Sequence, residues 1–180
     1  SRKRLALDLR AGYSEASLRM GAGGRGWLGP QHGPRTPLMD VLSALGKKLH
    51  GAAIERVDLW GNDLGNDRLI EILGMGFLGQ VSWLNIGDNK LSGKGIEALL
   101  VSSVAPKIRR LDLSYNRVGT AVRGISGLIE LTHLDLVHTG ISGKALTGLG
   151  RAELPCLTHL DISGLTTHET PNKLIMADKM

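Results

Sequence analysis

From residue 54 onward, aliphatic residues recur in a fixed frame. Ile54, Val57, Leu59 and Leu64 stand at positions 1, 4, 6 and 11 of a segment whose other places are mostly polar. The frame returns as Val81, Leu84, Ile86 and Leu91, as Ile108, Leu111, Leu113 and Val118, and as Leu131, Leu134, Leu136 and Ile141. A fifth copy keeps Leu157, Leu160 and Ile162 but has Leu165 and Thr167 at positions 9 and 11. The copies start at 54, 81, 108, 131 and 157, spacings of 27, 27, 23 and 26. Positions 4 and 6 flank a mostly polar position 5, the two-residue period of a short strand. Position 9 is Asn in three copies, Asn62, Asn89 and Asn116, a side chain able to bond the backbone groups that a turn leaves unpaired. The return stretches 68–73 and 95–100 have helical apolar spacing. A single copy cannot bury its own apolar edge, so neighbours must stack. The pattern predicts a curved parallel sheet lining a concave side, with helices on the convex side.

The L-x-x-L-D-L-x-x-N-x-L strands and their G-x-x-G-like turns over 54–165 resemble leucine-rich repeat proteins, and among them the ribonuclease-inhibitor-like class. The 23-residue step is short for that class. The resemblance implies an α/β leucine-rich repeat solenoid of about five to six repeats. The ends are less regular. Leu7-Asp8-Leu9 matches positions 4 to 6 and reads as a divergent first strand. Residues 11–35 read as a long Gly-rich loop. Thr36 and Pro37 then open a helix over 37–49, with Leu38, Val41, Leu42, Leu45 and Leu49 on one side. The chain thus divides into an N-terminal repeat or cap (1–50), the repeats (51–165) and a C-terminal cap or tail (166–180).

Composition adds limits. The single Cys156 excludes an internal disulfide framework and multi-cysteine metal sites, and fits an intracellular compartment, cytoplasmic or organellar. No apolar run approaches the ~20 residues of a membrane-spanning helix. A net charge of +5 and pI near 9.6 would suggest nucleic acid. However, residues 1–50 hold nine Lys/Arg against three acids, while 51–180 hold thirteen against fourteen. The excess belongs to the N-terminal segment, chiefly Arg2, Lys3, Arg4, Arg10, Arg19, Arg25 and Arg35. That segment suits an anionic partner, RNA or an acidic protein.

Positions 3, 5, 7 and 8 should face solvent on the concave side. Position 5 reads Asp8, Asp58, Asn85, Asp112, Asp135 and Asp161, predicting a ladder of carboxylates on adjacent strands. The resemblance gives this aspartate an ordinary place in the repeat; the alternative is a cation or a basic ligand. Position 3 supplies Arg56, Trp83, Arg110, His133 and His159, position 7 Trp60, and position 8 Tyr115 and His138. Trp60 and Trp83, on neighbouring strands, are the leading candidates for a partner hot spot, unless a helix or the N-terminal loop covers them.

Other chemistry is weakly marked. Two G-x-G-x-x-G matches, at 21–26 and 74–79, lie outside a strand-turn-helix context. His133, His138 and His159 could approach one another but lack a fixed Cys or carboxylate complement. Cys156 reads as a small core residue. Neither catalytic residues nor a cofactor are expected. The leading expectation is a non-enzymatic interaction scaffold that binds a protein partner through the concave face. The alternative is an accessory subunit of a large, organellar-type assembly docked through the basic segment. A minor alternative, GTPase activation, rests on Arg117 in a turn after a strand.

Overall fold

The computed structural model describes residues 4–10, 17–20, 24–27, 38–48, 53–164 and 173–175. Among these, the strands are β1 (Arg4–Asp8), β2 (Ser17–Met20), β3 (Gly24–Trp27), β4 (Ala53–Asp58), β5 (Trp83–Asn85), β6 (Arg110–Asp112), β7 (His133–Asp135), β8 (His159–Asp161) and β9 (Lys173–Ile175). They form one sheet in the order β3-β2-β1-β4-β5-β6-β7-β8-β9. The six strands β1 and β4 to β8 run parallel. β2, β3 and β9 join antiparallel on the two flanks.

Helices α1 (Leu38–Lys48), α2 (Gly65–Leu73), α3 (Gly93–Leu100) and α4 (Gly143–Gly150) carry the returns, with a 3₁₀ stretch, Gly119–Gly127, between α3 and α4. The returns pack side by side, α2 on α3, α3 on the 3₁₀ stretch, and that stretch on α4. The 3₁₀ geometry falls in the 23-residue copy for a physical reason. A 3₁₀ turn rises about 2.0 Å per residue against about 1.5 Å in an α-helix, so fewer residues cover the distance back to the next strand.

Aliphatics at positions 1, 4, 6 and 11 of the four full copies are all buried, from Ile54 and Val57 through to Leu136 and Ile141. The turn asparagines bind consecutive copies together. Asn89 Oδ1 accepts the Asn62 and Leu64 N–H groups at 2.9 and 3.3 Å, while its Nδ2 donates to the Leu59 and Gly87 carbonyls at 2.8 Å each. Asn116 repeats this one copy later, accepting from Asn89 and Leu91 at 3.1 and 2.9 Å. The fourth copy has Thr139, whose Oγ1 donates to the Leu136 carbonyl of its own copy.

The stretch 11–35, expected as a loop, contains β2 and β3. β2 pairs with β1, on the side away from β4, and β3 pairs with β2. Each strand is four residues long and set among glycines, too short to display a two-residue period; the open edge of β1 gives β2 its hydrogen-bond partner, and β2 in turn gives β3 its own. At the other end, β9 lies antiparallel on β8.

Candidate functional site

The strand register assembles two rows on the open sheet face. Position 3 aligns Arg56, Trp83, Arg110, His133 and His159, and position 5 aligns Asp58, Asn85, Asp112, Asp135 and Asp161, with Asp8 beside Asp58. Each position-5 side chain has a structural duty. Its Oδ1 accepts the backbone N–H two residues on: Trp60 at 3.2 Å, Gly87 at 3.0 Å, Ser114 at 2.9 Å, and Val137 and Ser163 at 3.0 Å. Asn85 performs this task as well as the aspartates, so the cap needs an oxygen and not a charge.

The charge is costly in places. Burial pushes the Asp58 and Asp135 carboxyls above the ordinary carboxylate range. At Asp58 the Trp60 N–H and Arg10 oppose the rise. At Asp135 the neighbouring Asp112 and Asp161 add to it, against the Val137 N–H. Arg10, counted in sequence with the basic segment, turns inward. Its Nε and Nη2 lie 3.0 and 2.8 Å from the Asp8 oxygens, and Nε lies 3.5 Å from Asp58 Oδ2. Arg4, Arg19 and Arg25 stand on β1, β2 and β3; Arg2, Lys3 and Arg35 lie outside the described residues.

Rings occupy both sides of the acidic row. The Arg56 guanidinium carbon sits 4.5 Å from the Trp83 ring centroid, and His133 and His159 stack at 4.1 Å with planes 6° apart. On the turn side, Trp60 meets Tyr115 edge-on at 5.6 Å, and Tyr115 meets His138 at 4.9 Å. Trp60 and Trp83 therefore share the open face but belong to different rows. The three histidines do not converge, because His138 goes to Tyr115; no metal-holding group of three or more His, Cys, Asp or Glu is found among the described residues.

Position 8 follows a rule that the aliphatic frame does not reveal. Its backbone is left-handed in every copy: Gly61 at φ 72°, Asp88 at 50°, Tyr115 at 56°, His138 at 51° and Gly164 at 75°. Glycine adopts this conformation freely, whereas other residues are strained there by roughly 1–3 kcal/mol. The signal was legible as Gly61 and Gly164 at the two outer copies. A second overlooked feature is the floor beneath the rings. A Cβ on Gly87 would lie 2.4 Å from Trp60 Cζ3, and one on Gly164 would lie 2.5 Å from His138 Cε1.

Along β5 to β8 the rows border a concavity of about 240 Å³ lined by Trp83, Arg110, Asp112, His133, Asp135, His159 and Asp161 with the strand leucines. Burial, then Arg110 and His159, lowers the His133 pKa below the usual imidazole value. Cys156 is exposed and not a core residue, since it precedes the frame position taken by Leu157. Arg117 is exposed, and its N–H bonds the Leu91 carbonyl. No helix among the described residues is long and apolar enough to cross a membrane.

Residues 84–100 and 104–121 match the family model described as Leucine Rich repeat. Over 109 residues the chain is 34% identical to Transforming growth factor beta activator LRRC32 of Mus musculus, a match covering 58% of this chain and 16% of that protein. The chain thus spans a small part of the relative it matches. Its fold is an α/β leucine-rich repeat solenoid.

Proposed function

We propose that this leucine-rich repeat solenoid is a protein-interaction module whose partner lies on the open sheet face, across Trp60, Trp83, Tyr115 and His138. One observation carries this reading. Tyr115 and His138 hold left-handed backbone that the two outer copies give to glycine, and both side chains stay exposed, Tyr115 at 50%. Strained, exposed rings beside Trp and Arg have the composition of an interface hot spot. Stacked repeats present these groups on a rigid surface, so binding costs little ordering entropy. The mouse relative is named for activating a growth factor, a protein-directed role in keeping with this reading; the growth factor itself belongs to that protein's description. Repeat spacings of 26–27 residues with α-helical returns support placing the chain in the ribonuclease-inhibitor-like class.

A photo-crosslinking residue placed at Tyr115 should capture a partner protein in the native setting. The same residue at Val101, 86% exposed beyond the end of α3, should not. Equal capture from both positions, or capture from Val101 alone, would remove the open face from consideration.

A further inference from the structure

His133 and His159 each place Nδ1 2.9 Å from the hydroxyl of the preceding threonine, Thr132 and Thr158. Those hydroxyl protons are already committed. Thr132 Oγ1 lies 2.8 Å from the Arg109 carbonyl, and Thr158 Oγ1 lies 3.1 Å from the Thr132 carbonyl. A carbonyl can only accept, so each threonine donates to it and each Nδ1–H donates to the threonine. Both imidazoles are therefore fixed with hydrogen on Nδ1, and their Nε2 atoms are acceptors. With the rings stacked and their planes 6° apart, the in-plane Nε2 lone pairs lie in parallel planes and do not meet at one metal ion.

The neighbouring carboxylates agree with this. Asp112 and Asp135 commit Oδ1 to the chain's own N–H groups, and no donor reaches Oδ2 of either among the described residues. The same holds for Asp161, although Lys173 stands opposite it in the β8–β9 register. The charged groups of the described side chains around the histidine pair are Arg110 and Asp112 from β6, Asp135 from β7 and Asp161 from β8; Lys173 on β9 holds a register position opposite Asp161. The unmet demand is for hydrogen-bond donors of positive charge, centred on Asp112 and Asp135.

We infer that the β6–β8 stretch of the open face receives an extended segment of the partner protein through its arginine or lysine side chains. This rests on the open-face reading above and names the partner's chemistry. Cationic side chains donate several hydrogen bonds, accept none, and complement the carboxylates. The chain itself carries a precedent, the Arg56 guanidinium on the Trp83 ring at the end of the same concavity. The carboxyl of Asp135, raised by burial and by two flanking aspartates, gains most from such a neighbour.

The test is fluorescence anisotropy with the full chain and a short labelled peptide of alternating arginine and serine, beside its citrulline counterpart, which keeps the shape and loses the charge. The arginine peptide should bind about tenfold or more tightly than the citrulline peptide. Asp135→Asn should weaken it by a similar factor while preserving the backbone cap, as Asn85 does. Glu97→Gln on α3 should leave binding unchanged. Acidification below the ordinary imidazole range should weaken binding further as the His133 ring turns from an acceptor into a cationic donor. No binding of the arginine peptide, equal binding of both peptides, or an Asp135→Asn effect no larger than that of Glu97→Gln would overturn the inference. Partner capture from Tyr115 alongside any of these results would leave the open face standing and remove only the basic segment.

Discussion

Replacing Asn116 by alanine tests the account of how the copies hold together. The side chain is almost fully buried, at 3% exposure, and makes five hydrogen bonds. Its Oδ1 takes the Asn89 and Leu91 N–H groups, and its Nδ2 reaches the Ile86, Leu113 and Ser114 carbonyls at 2.9 to 3.2 Å. Alanine strands two backbone N–H groups, each worth about 1–3 kcal/mol when left unpaired in a buried place. The carbonyls add less, since a carbonyl tolerates loss of a partner better than an N–H does. Allowing for some water entry, the expected loss is about 3–5 kcal/mol, a large part of the ~5–15 kcal/mol that holds a domain folded. Thr139→Ala removes one hydroxyl bond, to the Leu136 carbonyl, and should cost only about 1 kcal/mol. Among the described residues nothing accepts the Asn116 or Val118 N–H, the two groups an asparagine at 139 would take. Thr139→Asn should therefore stabilise the chain by about 1–2 kcal/mol. Urea unfolding followed by both far-ultraviolet circular dichroism and tryptophan fluorescence measures these differences, two probes being needed because stacked repeats can unfold in steps. Alanine variants at 116 and 139 falling within about 1 kcal/mol of each other would refute the inter-copy role of the buried amide.

Two further outcomes follow from geometry already described. Gly87→Ala would drive a methyl group into the Trp60 ring, so Trp60 must swing away from Tyr115; tryptophan emission should shift and stability fall by about 1–3 kcal/mol, whereas unchanged emission would show that Trp60 does not lie over Gly87. Asp135→Asn should raise the thermal midpoint at neutral pH, because a carboxyl whose folded pKa is raised stabilises the fold only while protonated, and that contribution is lost as pH rises through the folded value. The gain should shrink towards zero below about pH 4, where the unfolded carboxyl is protonated too; a pH-independent gain would assign it to something other than charge burial. His133, shifted the other way, makes both proteins lose stability as pH falls below the ordinary imidazole range.

The repeat was legible because burial imposes it. Each copy must place aliphatics at positions 1, 4, 6 and 11, and all sixteen of these residues in the four full copies are buried. The rows on the open face were legible for the same reason, since strand register carries position 3 onto position 3. What escaped reading was set by backbone conformation and by partners far along the chain. The left-handed position 8 shows in sequence only as Gly61 and Gly164 at the outer copies, with Asp88, Tyr115 and His138 between them masking it. β2 is held by the open edge of β1 and β3 by β2, a demand that no local periodicity records. The inward turn of Arg10 depends on Asp58, 48 residues away, and net charge alone counted it as free for an anionic partner.

The change from Asn116 to Thr139 has a consequence for how the array yields. Earlier copies are laced by the asparagine amides and by links such as Asn66–Ser92 and Lys94–Asp67, whereas the lacing amide stops before the copy that begins at Leu131. The joint between β6 and β7 is the first along the chain to lack that amide, and the C-terminal copies beyond it are held without one. Asp112 and Asp135 stand on either side of that joint. A chain segment gripping both would act as a clasp, and its release would let the far end fray. Occupancy and cooperativity would then be two readouts of one equilibrium.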